Sequence, residues 1–288
     1  MDIVPNFFIV GAPKAGTTSL YRYLSQHPDV YVSPVKEPGF FAPEIASIDP
    51  HIIVEWHEYL KLFREAQGQR AIGEGSVAYL SSQTAAKAIA ERVPHARILM
   101  MLRDPADRLF SHYVAARAGG DTNASFLRWV DEQLRAESDG DPPVGPFLPG
   151  RYATHLERFL SVFPAAQVRA WLFDDYTAAP GQVIASVLEF LRVDPTVRID
   201  VRRRHNVTVA PRLARLHAIA SPIRNRIRAA VPRALKNAVR RLSHGPVRLR
   251  VSARDRERVI SMYLDEIDRL ESLIGRKLPM WRDPRRAR

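Results

Sequence analysis

The 288-residue sequence has no cysteine and no long apolar stretch, and each absence excludes a class of function. Without cysteine there is no disulfide, no thiolate nucleophile and no cysteine-ligated zinc. The nine histidines lack the HExxH spacing, which argues against a histidine-built metal site. A secretory signal begins with a basic segment that is followed by an apolar run. The opening MDIVPNFFIV does not have this pattern. The sequence therefore predicts a cytoplasmic protein without a metal.

Acidic residues are scarce in one part of the chain. From Arg198 to the end there are 25 Lys and Arg against 8 Asp and Glu, and residues 212–250 carry 11 cations and no acid. Such a segment favours an anionic partner, either a phosphorylated ligand or an anionic membrane surface contacted peripherally. It has no aromatic residue for base stacking, which disfavours nucleic acid. The competing interpretation is a solvated basic face.

Apolar runs that alternate with amphipathic segments indicate the fold class. Along the first 200 residues strand-like runs precede helix-like segments, at FFIV, VYV, AI, ILMML and VRAWLFDDY. Strands that alternate with helices predict an α/β, P-loop-like three-layer fold, with a central parallel sheet and helices on both faces. In such folds ligands bind at the carboxyl ends of the strands.

The pattern changes after Val201, where the strand signal stops. Apolar residues three or four apart then predict a C-terminal helical cap, whose last helix runs from about Ala253 to Ile274. We therefore expect a single domain over residues 1–288, with an α/β nucleotide-binding core at 1–201 and a basic helical part at 202–288.

The stretch FFIVGAPKAGTTSL, residues 7–20, reads as a strand, a glycine-containing loop and a helix. The usual ATP-binding loop has a lysine directly after its second glycine, followed by Ser or Thr for magnesium. Here Thr17 follows Gly16, and Lys14 precedes it. Backbone N–H groups of the loop and the first helical turn still form an anion site. The alternatives are a structural turn, or a P-loop kinase of small molecules that lacks the expected lysine.

Two further stretches contain groups suited to phosphate and proton chemistry. In RDPADRLFSHY, Arg103 ends a strand, and Ser111 lies almost two helical turns after the predicted N-cap Asp104. A guanidinium and a hydroxyl could then share one phosphate, unless Arg103 pairs with a carboxylate. In SPVKEPGFF, the acid Glu37 adjoins Lys36 and is followed by two aromatic residues.

Together these stretches resemble the sulfotransferases that use 3′-phosphoadenosine 5′-phosphosulfate (PAPS). APKAGTTSL is similar to the family's 5′-phosphosulfate loop, and RDPADRLFSHY to its 3′-phosphate motif. The similarity continues through GRYATHLERFLSVFP, LFDDY and LIGRKLPMW, so it extends over nearly the whole chain. KEPGFF is most similar to the branch that contains heparan sulfate sulfotransferases and many bacterial enzymes.

The resemblance implies transfer of a sulfuryl group from PAPS to a hydroxyl or amine of a small-molecule, glycan or lipid acceptor, without a metal. It implies that Glu37 is the general base and that Lys14 stabilises the leaving phosphate. If Glu37 is only a surface partner of Lys36, the next candidates for the base are His27 and His112. The implied PAPS contacts are Lys14, Ala15, Gly16, Thr17, Thr18, Ser19, Arg103, Ser111, Arg202, Arg203 and Arg204. The implied acceptor contacts are Lys36, Tyr79 and Tyr152.

Two departures from the family pattern limit what the resemblance implies. Relatives that act on heparan sulfate have a lysine in the stretch matching GEGSVAYL, where this chain has Gly75. This weakens the expectation of a polysaccharide acceptor and of a second catalytic lysine. The family's later cofactor-binding loop is matched only loosely by RRRHN, and Tyr152 is equally well explained as a packed aromatic residue. A basic membrane-surface module remains the alternative from a different functional class.

Overall fold

A five-stranded parallel sheet forms the centre of the computed structural model. The described residues are 2–47, 49, 51–138, 145–202, 209–211, 244–246 and 251–286. The sheet has the order β2-β3-β1-β4-β5. Its strands are β1 Phe7–Gly11, β2 Val30–Val32, β3 Ala71–Gly75, β4 Arg97–Leu102 and β5 Val168–Leu172.

Helices cover both faces of this sheet, which confirms the predicted three-layer α/β fold. In the first 202 residues they are α1 Thr17–Leu24, α2 Trp56–Leu60, α3 Ala85–Arg92, α4 Pro105–Gly119, α5 Phe126–Ser138, α6 Tyr152–Leu160, α7 Phe173–Ala178 and α8 Pro180–Leu191. Towards the C-terminus follow α9 Ala253–Ser261 and α10 Leu264–Ile274. Short 3₁₀ turns lie at Pro43–Ser47, Lys61–Phe63, Val77–Leu80, Leu148–Gly150, Ala165–Gln167 and Pro279–Trp281.

The core lies around the two central strands. Residues 7–10 of β1 and 98–102 of β4 are completely buried. A strand covered by helices on both faces has no polar side, which explains why these runs are continuously apolar rather than alternating. No helix in the described part of the chain is long and apolar enough to cross a membrane.

Three local predictions were wrong or incomplete. The strand predicted over VRAWLFDDY ends at Leu172, and the chain turns directly into α7. Strands do occur after Val201, since Val209–Pro211 (β6) pairs antiparallel with His244–Pro246 (β7). The last predicted helix is two helices, because the backbone leaves the helical conformation at Tyr263. The helices predicted between these two strands lie outside the described residues.

Asp104 begins α4 as predicted. Its carboxylate accepts hydrogen bonds from the backbone N–H groups of Ala106 at 2.9 Å and Asp107 at 3.2 Å. Pro105 occupies the first helical position, where its missing N–H costs nothing. The turn that follows Arg103 is therefore fixed by the side chain of the next residue.

Arg256 of α9 ties the C-terminal helices to this N-cap. Its guanidinium is only 1% exposed and pairs with the carboxylates of both Asp104 and Asp107. Its Nε also donates to the carbonyl of Asp283 at 2.9 Å. Arg286 contacts the Asp104 carboxylate at 3.4 Å. These pairs join the end of the chain to the carboxyl edge of the sheet.

Replacing Arg256 with leucine should lower the free energy of unfolding by about 3–5 kcal/mol, because buried carboxylates would lose their counter-charge. Urea denaturation followed by circular dichroism measures this change. The matched control is Arg258→Leu on the same helix, whose ion pair with Asp131 is exposed at 48% and 36%. Losing an exposed pair should cost less than about 1 kcal/mol. Equal losses in the two variants would contradict the role assigned to Arg256.

Candidate active site

The loop between β1 and α1 lies at the carboxyl edge of the sheet. Gly16 caps α1 with a left-handed φ of 87°, and a Cβ there would approach the Phe173 ring to 3.0 Å. The Gly16 carbonyl accepts the N–H groups of Ser19 and Leu20, which starts the helix. A helix start at a strand end directs N–H groups towards an anion. The turn contains the predicted contacts Ala15, Gly16, Thr17, Thr18 and Ser19.

Cationic side chains converge beside this loop. Arg103, at the end of β4, donates from Nη1 to the Lys14 carbonyl at 3.0 Å and lies 5.0 Å from the centre of the Phe173 ring. Burial lowers the pKa of the Lys14 ammonium, and the neighbouring charges of Arg103 and Arg108 lower it further. Ser111 lies on α4, partly buried. The structure thus joins two sequence-distant motifs in one electropositive site.

Arg108 was missed by sequence reasoning, although it lies inside the RDPADRLFSHY motif. Its side chain is completely buried, and one guanidinium nitrogen donates to the Pro146 carbonyl. Nothing in the local pattern distinguishes it from a solvated arginine, because its burial is created by packing from distant segments. It also acts on His112, whose pKa is lowered to about 4 by burial, by Arg108 and by Lys14. That imidazole is therefore neutral at pH 7.

Glu37 follows β2 and is held against the end of β3. Its backbone N–H donates to the Gly75 carbonyl at 3.0 Å, and its Oε2 accepts the N–H of Val77 at 2.7 Å. The second carboxylate oxygen contacts the Lys36 ammonium. The Glu37 side chain is 37% exposed, so it is fixed by hydrogen bonds and still open to a reactant.

Lys14 and Glu37 share an unusual backbone conformation. Their φ angles are 67° and 64°, in the left-handed region that non-glycine residues rarely adopt. Such conformations persist only where the surrounding structure enforces them, and they cluster at functional sites. The two residues that the family resemblance assigns to catalysis are thus both held in this strained region.

Glu74 of β3 is a second carboxyl group near Glu37, and it is completely buried. Burial raises its pKa to about 7, with a smaller contribution from the charge of Glu37, while hydrogen bonds from hydroxyl groups oppose the shift. Sequence reasoning missed this residue. The available signal was an acid inside the strand-like run AIGEG.

Two predicted residues lie near the end of α1. His27 is buried, with Nδ1 accepting the Asp29 N–H at 3.0 Å and Nε2 facing the Asp194 carbonyl at 2.9 Å. Arg202 is exposed and forms an ion pair with Asp200. The described contacts of His27 are thus with backbone groups of Asp29 and Asp194, and the described partner of Arg202 is Asp200.

The remaining predicted contacts are two tyrosines and two arginines. Tyr79 is completely buried, and Tyr152 is 2% exposed, with its ring edge towards Trp281 at a centroid distance of 6.0 Å. The alternative that Tyr152 is a packed aromatic residue fits its position. Arg203 and Arg204 lie outside the described residues.

The described part of the chain holds no group of three or more His, Asp or Glu side chains placed to bind a metal ion. The groups available at this edge are an ammonium, a guanidinium and backbone N–H groups after β1 and β4, and a carboxylate after β2. This combination can bind a polyanion on one side and accept a proton on the other.

A family model for the sulfotransferase domain matches residues 4–208. The bifunctional heparan sulfate N-deacetylase/N-sulfotransferase 2 of Bos taurus is 31% identical over 215 residues, which are 69% of this chain and 24% of that protein. The corresponding enzyme 1 of Mus musculus is 32% identical over 68% of this chain and 23% of its own length. This chain thus spans about a quarter of these relatives. The crystal structure of a sulfotransferase from Alicyclobacillus acidocaldarius matches with a TM-score of 0.77 at 29% identity, covering 97% of this chain and 99% of that one.

Proposed function

Because the chain belongs to the family of PAPS-dependent sulfotransferases, we propose that this enzyme moves a sulfuryl group from PAPS to a hydroxyl or amine. The acceptor is a small molecule, a glycan or a lipid. The observation that carries the proposal is the arrangement of Lys14 and Arg103 at one sheet edge, with Glu37 held at a neighbouring strand end. Lys14 and Arg103 are suited to bind a bisphosphate, and the Glu37 carboxylate is suited to accept a proton.

The residues beside the loop fit a polyanionic co-substrate. Lys14, Arg103 and Arg108 lie close enough that the two guanidinium groups lower the pKa of the Lys14 ammonium. Bound phosphate would offset this repulsion between like charges. Lys14 and the turn Gly16–Ser19 would hold the 5′-phosphosulfate, and Arg103 with Ser111 the 3′-phosphate. PAPS supplies the activated sulfuryl group, and a metal is not required in this proposal.

Three side chains of this protein would take part in the reaction. Glu37 takes the proton of the acceptor as its oxygen or nitrogen attacks sulfur. Lys14 places its ammonium where negative charge grows on the leaving phosphate. Lys36, in contact with Glu37, orients that carboxylate and neutralises it until the acceptor binds. The strained backbone at Lys14 and Glu37 supports these assignments.

Two observations bear on the identity of the acceptor. The curated relatives are named for N-sulfation of heparan sulfate, and they are about three times as long as this chain. At Gly75 a Cβ would lie 3.3 Å from the Tyr21 ring, so a lysine there would displace this ring. We therefore keep phenols, lipids and glycans together as candidates, to be separated with sulfur-labelled PAPS and an acceptor panel.

The nucleotide product 3′-phosphoadenosine 5′-phosphate should bind without magnesium, and its analogue lacking the 3′-phosphate should bind at least roughly tenfold more weakly. The reason is that a charge-assisted hydrogen bond contributes about 1.5–3 kcal/mol. Isothermal titration calorimetry in EDTA measures both affinities. Equal affinities would remove the 3′-phosphate role of Arg103 and Ser111, and a strict magnesium requirement with ATP turnover would favour a kinase.

Glu37→Gln should lower turnover roughly 100-fold while nucleotide affinity stays unchanged, as expected when a general base is lost. Lys14→Ala should weaken both turnover and nucleotide affinity, because the ammonium contacts the phosphate before and during transfer. The matched control is Glu58→Gln, since Glu58 is an exposed carboxylate on α2. Transfer of labelled sulfate measures turnover. If Glu37→Gln turns over like the wild type, the base lies elsewhere and His112 is the next candidate.

We further propose that the enzyme is cytoplasmic and that its basic residues 212–250 attach it peripherally to anionic membranes or recruit an anionic acceptor. Each Lys or Arg near an anionic bilayer contributes about 1 kcal/mol, so a few of the 11 cations suffice for attachment. Flotation with phosphatidylserine vesicles should show binding at low salt and release at high salt, and neutral vesicles serve as the control. If the protein does not float with the anionic vesicles at low salt, residues 212–250 are only a solvated basic segment.

A further inference from the structure

Glu74 is a buried carboxyl group on β3, an interior strand of the sheet, and its described hydrogen-bond partners are hydroxyl groups. The Ser76 hydroxyl donates to Oε2 at 2.8 Å, and the Tyr59 hydroxyl donates to Oε1 at 3.2 Å. The Tyr79 hydroxyl also acts on this carboxyl group and lowers the pKa of Glu74, as a hydrogen-bond donor does. A buried carboxyl group on an interior strand is costly, and an apolar residue would usually serve stability equally well.

Two of these three hydroxyl groups also receive a backbone N–H from the segment that carries Glu37. The Ser76 Oγ accepts the Gly39 N–H at 3.1 Å, and the Tyr79 hydroxyl accepts the Phe41 N–H at 3.3 Å. A hydroxyl has one proton and two lone pairs. When its proton points to Glu74, a lone pair remains for the backbone N–H.

The same segment is bound to the end of β3 at Glu37 itself. Its N–H donates to the Gly75 carbonyl, and its Oε2 accepts the Val77 N–H. Residues 37–41 are thus joined to residues 75–79 by four hydrogen bonds, of which two pass through hydroxyl groups directed by Glu74. The left-handed φ of Glu37 requires such enforcement.

We propose that Glu74 is a positioning residue for the Glu37 carboxylate, acting through the hydroxyl groups of Ser76 and Tyr79 on the backbone of residues 39 and 41. The catalytic part of this inference rests on the proposed function, in which Glu37 is the base. The positioning of residues 37–41 by the hydroxyl groups does not depend on that function. Glu74 is completely buried, and its described hydrogen bonds are to Tyr59 and Ser76 and not to the co-substrate loop, so it is not a catalytic residue.

The groups around Glu74 also make its charge sensitive to pH. Burial raises the pKa of Glu74 to about 7, and the pKa values of Tyr59 and Tyr79 lie well above 10, so both phenols remain donors. Glu37 and Tyr21 are the other titratable groups that act electrostatically with it. Above pH 7 the ionised Glu74 would place a second negative charge near the base and favour arrival of the acceptor proton on Glu37.

Amide hydrogen exchange tests the positioning directly in the full chain, without nucleotide or acceptor. Glu74→Gln should accelerate exchange at Gly39 and Phe41 about tenfold, and Tyr79→Phe should do so at Phe41, because local opening becomes easier when these acceptors are lost or misdirected. Tyr59→Phe is the matched control, since its hydroxyl binds Glu74 and no N–H of residues 37–41 among the described contacts. Exchange that is equal in Tyr59→Phe and Tyr79→Phe would overturn the proposal.

Turnover with the acceptor found in the panel supplies the second measurement. Glu74→Gln should lower kcat about tenfold, leave the dissociation constant of 3′-phosphoadenosine 5′-phosphate within about twofold, and remove a titration of kcat near pH 7. An unchanged kcat and pH profile would overturn the catalytic part. If the wild type transfers no sulfuryl group while the exchange contrast persists, the proposed function fails and the positioning of residues 37–41 stands.

Discussion

The site depends first on the buried carboxylate of Asp104. It caps α4, follows the phosphate-binding candidate Arg103, and receives the guanidinium groups of Arg256 and Arg286. Burial and the neighbouring Asp107 raise the pKa of Asp104, and the two arginines oppose this shift. The ionised cap therefore requires the C-terminal residues to be in place. The end of the chain thus supplies the counter-charge for a turn about 150 residues earlier.

Rigid surroundings explain how two left-handed residues are maintained at this edge. Lys14 is held through its carbonyl by Arg103, and Glu37 is held through its N–H and its carboxylate by the end of β3. In both cases the partner lies at the end of a neighbouring strand or just after it. Parallel strands end at one edge, so each loop has a fixed neighbour against which a strained conformation can be enforced.

The parts of the fold that depend on local pattern were predictable, and those that depend on distant packing were not. The apolar run at 98–102 and the Asp104 cap identified β4 and α4 correctly. The apolar stretch after Val168 could not show that the strand ends at Leu172, because short apolar runs fit both helix and strand. Likewise Glu74 and Arg108 are ordinary polar residues in the sequence, and only tertiary contacts bury them.

The strand order separates the charges of the site. In the order β2-β3-β1-β4-β5, the carboxyl groups Glu37 and Glu74 belong to the β2–β3 side, whereas Lys14 and Arg103 follow β1 and β4. A mixed arrangement would let carboxylates neutralise the cations and weaken any anion site between them. Because the sheet holds the two sets on different strands, Lys14 and Arg103 can bind a polyanion while Glu37, two strands away in the order, accepts a proton. This separation is what a transfer between a phosphate-bearing donor and an acceptor nucleophile requires.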